Sequence, residues 1–253
     1  MTDQDLLHLC FELAAEAGEA ILAIRAQGFE TLHKADNSLV TAADHAAEAI
    51  IVAGLRRATP DIPVVAEEEM AAGATPRQAR RFWLVDPLDG TREFAALRDD
   101  FAVCIGLVED GVPVLGVVAV PAHGQSYGAL RGQGAIRRDA AGEHTIQVRT
   151  PPACGLTVIA SRSSVRHPMV ADFLADRAVH ETLHTGSALK FCRIAEGAAD
   201  LYPRFGRTME WDTAAAQAVL EAAGGSVVDA DTGQRLRYAK PGYENPPFIA
   251  AGL

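Results

Sequence analysis

The chain has 253 residues, 49% of them hydrophobic, enough to bury a sizeable core as one compact body or two closely packed lobes. Its 23 Lys and Arg against 33 Asp and Glu leave a net charge of −10, which argues against a nucleic-acid polymer as partner, while a small phosphate ester stays open because divalent cations reverse the field locally. Cys10, Cys104, Cys154 and Cys192 show no C-x-x-C spacing, and no apolar run approaches roughly 18 residues, so zinc or dithiol chemistry and an integral membrane segment are not expected.

Leu6, Leu9, Leu13, Ala17, Ile21 and Ile24 recur at helical spacing and predict an amphipathic first helix ending near Gly28. The N-terminus carries acids and no basic leader, which predicts a cytoplasmic protein; peripheral attachment to the cytoplasmic face of the inner membrane stays open. A second helix is predicted from Thr41, with Ala43, Ala47, Ile50, Ile51 and Leu55 as its stripe, closed by Thr59-Pro60-Asp61. Ile62 to Ala66 reads as a strand that Glu67-Glu68-Glu69 ends. Arg81 to Val85 reads as a buried strand stopping at Asp86-Pro87, and Phe101–Glu109 and Val112–Val120 as a hairpin around Asp110-Gly111. The stretch from Gly124 to Gly142 reads as turns and edge structure, and Thr150-Pro151-Pro152 as a boundary between lobes 1–150 and 151–253. The second lobe opens on the strand Leu156–Ala160, followed by helices near Pro168–Ala178, Ala188–Gly197 and Thr213–Ala223. Strands and helices interleave with at least one hairpin, which predicts layered sheets and helices with strands of mixed direction.

Three acidic segments carry the chemistry. Asp86 and Asp89 bracket Pro87-Leu88 at the mouth of a buried strand, where a turn can fold both carboxylates toward one point suited to a hard cation. Gly90 to Phe94 looks like a helix start, whose free N–H groups would serve a phosphate at the same point. An ordinary Asp-Gly turn with Asp86 as a helix cap is the alternative. Glu67-Glu68-Glu69 reads in isolation as a solvated patch, yet its place at a strand end brings it to the same edge as Asp86. Asp212 before the Thr213 helix is a capping residue, a role compatible with ligation, and Asp44 suits the far end of a Thr41-x-x-Asp44 capping box. His180-Glu181-Thr182-Leu183-His184 matches the helical zinc-protease motif, but its flanks favour a strand, and Ser187 and Lys190 stand where the extended motif needs Gly and His.

Together these segments resemble the magnesium-dependent, lithium-sensitive phosphatases of the inositol monophosphatase superfamily, and within it the bacterial 3′(2′),5′-bisphosphate nucleotidase branch of the CysQ type. The resemblance rests on Lys34-Ala35-Asp36-Asn37-Ser38 with Val40 to Asp44, Glu67-Glu68, Trp83 to Phe94, Gly186 to Cys192, Ala195-Glu196-Gly197, Leu201 to Gly206 and Trp211 to Ala215. It implies a layered αβαβα sandwich, α+β in class, with two sheets and helices between and outside them. It implies Glu67, Asp86, Asp89, Asp212 and the Leu88 carbonyl as ligands of two or three Mg²⁺ ions. Asp44 and Thr91 then orient the attacking water, with Glu67 sharing the base role. Gly90, Thr91 and Asp212 receive the phosphate, and Ser187, Lys190 and Arg204 suit a second phosphate and the nucleoside. The resemblance implies a small nucleotide substrate, adenosine 3′,5′-bisphosphate, with 3′-phosphoadenylyl sulfate left open, and a place in sulfate assimilation. An inositol-phosphate or histidinol-phosphate hydrolase is the alternative, and a homodimer is left open. Where related chains place His directly after Ser-Arg-Ser, this one reads Ser161-Arg162-Ser163-Ser164 with His167 later, which leaves that segment's nucleoside contact open.

Overall fold

The computed structural model describes residues 1–34, 38–77, 79–161 and 168–253. Helix α1 (Asp3–Gln27) starts at a capping box between Thr2 and Asp5 and leads through the short hairpin β1 (Thr31–His33) and β2 (Leu39–Thr41) into α2 (Ala42–Ala58). Then follow β3 (Val64–Ala66), the one-turn helix α3 (Glu67–Ala71), β4 (Arg81–Asp89) and α4 (Thr91–Ala95). Strands β5 (Ala102–Glu109), β6 (Val112–Val120), β7 (Gln125–Leu130), β8 (Ala135–Asp139) and β9 (Gly142–Ile146) form a meander. The chain then runs through β10 (Leu156–Ala160), α5 (Pro168–Leu174), β11 (Val179–His184), α6 (Leu189–Ala195), β12 (Leu201–Arg204), α7 (Ala214–Ala222), β13 (Ser226–Asp229) and β14 (Phe248–Ala251).

Strands β3 to β9 make a seven-stranded sheet in sequence order, antiparallel except for the parallel β3–β4 pair. The second sheet has the order β11-β10-β12-β14-β13, with β11, β10 and β12 parallel. Side-chain alternation builds the layers. Val103, Ile105 and Leu107 of β5 join the cluster of α1 and α2, whereas Ala102 and Cys104 turn to the cluster of α6 and α7, which the second sheet also enters through Ile159, Tyr202 and Phe248. The resulting order of helices, sheet, helices, sheet is the expected mixed sandwich.

Two glycines bring the layers close. Gly106 and Gly116 pair across β5 and β6, and a Cβ on Gly116 would lie 2.1 Å from the carbonyl oxygen of Ala215. Helix α7 therefore lies on bare backbone, two residues after Asp212, and Cys104, paired with Asp86, is two residues along the same strand.

Three local expectations are corrected. Strand β4 does not stop at Val85: it pairs with β5 as far as Asp89↔Ala102, with a register shift between Asp86 and Asp89 that absorbs Pro87. Glu67-Glu68-Glu69 does not merely end a strand but forms the first turn of α3. The stretch from Gly124 to Gly142 is mostly sheet: Gly132 and Gly134 sit in the turn between β7 and β8, whereas Gly128 lies within β7, paired with Val117 and Ile136.

Candidate active site

Each predicted acid is delivered by a chain element at the same end of β3 and β4. Parallel pairing places Ala66 beside Val85, so Glu67 follows at the end of β3 next to Asp86 on β4. The shift at Pro87-Leu88 carries Asp89 onward, and the short 3₁₀ turn Glu210–Asp212 brings Asp212 in from the second half of the chain. That turn is clamped from behind: the buried Glu210 carboxylate accepts the backbone N–H groups of Ala239 and Lys240, both at 2.9 Å, and pairs with the Lys240 ammonium. Asn245 Nδ2 donates to the Met209 carbonyl at 2.7 Å and to Thr213 Oγ1 at 3.0 Å.

Among the described residues, no three His, Cys, Asp or Glu side chains are grouped closely enough to clasp an ion as they are oriented here. Each carboxylate instead faces a donor of the protein itself. Asp86 Oδ1 accepts the Leu88 N–H at 3.0 Å, Asp212 Oδ2 accepts the Met209 N–H at 2.9 Å, Asp89 Oδ2 accepts the Ala188 N–H, and Glu67 Oε1 accepts Lys34 Nζ at 2.7 Å. The acids still act on one another. Burial, then the charges of Glu67, Asp89, Asp212 and Asp44, push the Asp86 carboxyl well above the usual carboxylate range. Burial and the neighbouring charges of Asp89 and Glu67 do the same to Asp212. Asp89 is raised to about 6 by burial against the opposing pull of Lys190. Carboxylates so placed, all hard oxygen donors, fit Mg²⁺, whose charge would relieve the repulsion.

Asp44 makes the predicted capping box and also reaches Thr91. Its Oδ2 accepts Thr41 N–H at 2.7 Å and Thr41 Oγ1 at 2.8 Å, the capping box of α2, while its Oδ1 accepts the Thr91 hydroxyl at 3.1 Å. Thr91 Oγ1 also lies 3.2 Å from the Leu88 carbonyl, so its single proton has two acceptors within reach.

Ser187, Lys190 and Arg204 line one cleft with Asp89, Gly90 and Asp212. A Cβ on Gly90 would meet the Asp100 carbonyl oxygen at 3.1 Å and Ser187 Cβ at 3.3 Å, so bare backbone lets the two halves of the chain close here. Lys190 is buried, donates to the Ser187 carbonyl at 2.6 Å and stands 5.1 Å from the Tyr202 ring; burial lowers it to about 8 against the opposing charge of Asp89. Arg204 donates through Nη2 to the Arg207 carbonyl at 3.0 Å, and its Nε is buried with no hydrogen-bond partner among the described residues.

The zinc-protease match falls on the exposed strand β11, where His180 and His184 are ~13 Å apart at 3.3 Å per residue, too far to share an ion. Ser164 and His167 lie outside the described residues, as do Arg162, Ser163 and Ala35-Asp36-Asn37. Sequence reasoning gave no role to Lys34, Glu48 or Arg92. Lys34 spans Glu67 and Glu68; burial opposes its charge, and the two carboxylates outweigh that and raise it. Glu48 lies one helical turn beyond Asp44 on the same face of α2, but the amides it holds are about twenty residues away in sequence.

The description "Inositol monophosphatase family" matches residues 3–251, and the chain belongs to that family. Within it, the chain is 44% identical over 242 residues to a 3′(2′),5′-bisphosphate nucleotidase CysQ of Escherichia coli O157:H7, covering 94% of this chain and 96% of the relative. The CysQ of Salmonella typhimurium is likewise 44% identical over 248 residues, covering 96% and 98% of the two chains. The crystal structure of CysQ from Bacteroides thetaiotaomicron superposes with a TM-score of 0.82 at 35% identity, covering 98% of this chain and 97% of that one.

Proposed function

We propose that this chain is a Mg²⁺-dependent phosphomonoesterase that hydrolyses adenosine 3′,5′-bisphosphate to AMP and phosphate, accepting 3′-phosphoadenylyl sulfate as well, and so serves sulfur assimilation. The observation that carries this reading is the junction of two chemistries in one cleft: the acid cluster of Asp89 and Asp212 adjoins a wall holding Lys190 and Arg204, the latter with a buried Nε that has no hydrogen-bond partner among the described residues. An acid cluster alone suits any phosphomonoester; a cationic wall beside it suits a substrate with a second anionic group.

In this reading Glu67, Asp86, Asp89, Asp212 and the Leu88 carbonyl hold two or three Mg²⁺ ions, which when bound neutralise phosphoryl oxygens and make a water more acidic. Asp44 fixes the Thr91 hydroxyl, and Thr91 with Glu67 orients the attacking water and takes its proton. Gly90 and Asp212, which line the cleft, with Thr91 next to Gly90 would receive the scissile phosphate, and Ser187, Lys190 and Arg204 of the same lining would receive the remainder of the nucleotide. The lobe of residues 1–150 supplies every ligand but Asp212, and the lobe of residues 151–253 supplies Asp212 and the cationic wall. Lys34 pairs with Glu67 and Glu68, so a metal bound at Glu67 would share that carboxylate with the Lys34 ammonium or displace it. No helix among the described residues is long and apolar enough to cross a membrane. The proposal places the enzyme in the cytoplasm, with a homodimer and attachment to the inner face of the membrane as further arrangements to be measured.

The test is phosphate release, at one Mg²⁺ concentration, from adenosine 3′,5′-bisphosphate, inositol 1-phosphate and histidinol phosphate. The bisphosphate should show the highest kcat/KM. Equal or better turnover of either competitor overturns the substrate assignment.

A further inference from the structure

The cleft that holds Lys190 and Arg204 is lined on its other wall by Arg92 and Glu93 of α4. The cations differ in how far they are committed. Lys190 is 4% exposed and turned onto the Ser187 carbonyl, and Arg204 gives one guanidinium nitrogen to the Arg207 carbonyl. Arg92 is exposed, its carbonyl accepts the Ala96 N–H within α4, and among the described residues no hydrogen bond or ion pair engages its guanidinium. Its neighbour Glu93 is instead packed inward, where a Cβ on Gly186 would meet its Cγ at 2.7 Å. Apart from the cage acids Asp89 and Asp212, the described residues of the lining therefore carry three cations against the one carboxylate of Glu93. That surplus is the field a doubly charged phosphate requires.

Size adds a second argument. The cleft encloses about 170 Å³, below the roughly 300–1,000 Å³ of sites that enclose a whole drug-sized ligand. A nucleotide bisphosphate with one phosphate at the acid cluster must extend out of the cleft, where the uncommitted guanidinium can join the wall of Lys190 and Arg204 in holding its other phosphate, through two parallel N–H bonds.

We propose that Arg92 is a specificity-determining residue that pairs with the second, non-reacting phosphate of the substrate and so favours bisphosphorylated nucleosides over monophosphates. This inference rests on the nucleotidase reading above. The experiment compares the wild-type enzyme with Arg92→Ala and Arg92→Lys on adenosine 3′,5′-bisphosphate and on adenosine 3′-monophosphate, at two salt concentrations. Arg92→Ala should lower kcat/KM for the bisphosphate about tenfold or more, chiefly through KM, and flatten its salt dependence. Arg92→Lys should recover part of that loss, and turnover of the monophosphate should change less than about twofold in either variant. Because Arg92 is exposed and unpaired, both variants should melt with the wild type. Equal losses on the two substrates, or no loss on the bisphosphate, overturn the role of Arg92 while leaving the nucleotidase reading intact. A wild-type enzyme that does not prefer the bisphosphate overturns the reading itself, and the inference with it.

Discussion

The Thr91 hydroxyl donates to Asp44 Oδ1 at 3.1 Å, joining the start of α2 to the residue after the Asp89-Gly90 turn. The other oxygen of Asp44 is saturated by Thr41, so the carboxylate cannot swing away without opening the cap of α2. A pair acting as one unit should be non-additive. Asp44→Asn and Thr91→Ala should each lower kcat about a hundredfold or more, and the double variant should be little worse than either. A double-mutant cycle on kcat measures this; fully additive losses would show two independent roles.

Glu48 holds the segment proposed to supply Glu67. Its buried carboxylate accepts the N–H groups of Glu68 at 2.7 Å and Glu69 at 2.9 Å, fixing the turn that displays Glu67. Glu48→Gln keeps one acceptor and sets an NH₂ group against a backbone N–H, which should cost about 1–3 kcal/mol of stability. The Mg²⁺ concentration for half-maximal activity should rise severalfold while KM for the nucleotide holds. Thermal melts and a Mg²⁺ titration read the two effects separately.

Gly116→Ala tests the contact between α7 and β6. The new methyl would be 2.1 Å from the Ala215 carbonyl oxygen, so the helix must lift. Destabilisation of about 1–3 kcal/mol is expected from overpacking, with weaker Mg²⁺ binding as the Asp212 turn moves. Alanine tolerated at unchanged melting temperature and Mg²⁺ affinity would contradict the close approach.

Metal-free protein should lose stability as pH rises through the window set by Asp89. Its carboxyl is raised from 3.8 to about 6 by burial, so between those values the folded chain retains a proton that the unfolded chain has released. The folded state then binds more protons than the unfolded one, and stability falls with rising pH. Asp86 and Asp212, also raised, add in the same direction. Mg²⁺ should reverse the trend, stabilising more at pH 7 than at pH 5. Melting curves with chelator and with Mg²⁺ at both values check the sign.

Much of this was legible in the sequence because short-range chemistry decided it. The first two helices, the β5–β6 hairpin and the Thr41–Asp44 box each follow from residues within a few positions of one another. Long-range partners were not. Glu48 looks like any glutamate on an amphipathic helix, and only the approach of α3, twenty residues on, gives its carboxylate two amides. Lys34 and Arg92 read as solvated cations; one turns inward onto Glu67, the other lines a cleft made with the second half of the chain. Strands β7 to β9 were obscured by glycines and charges tolerated near the edge of a sheet, where β9 is largely exposed.

The most direct test of the acid cage is the Mg²⁺-dependent rate of phosphate release from adenosine 3′,5′-bisphosphate by Asp89→Asn beside the wild type. The substitution keeps shape and an acceptor for the Ala188 N–H but removes the charge at the point where the two halves of the chain meet. A fall of about a thousandfold or more, with weakened Mg²⁺ binding in calorimetry, is the predicted result. An Asp89→Asn enzyme with wild-type rate and Mg²⁺ affinity would contradict it.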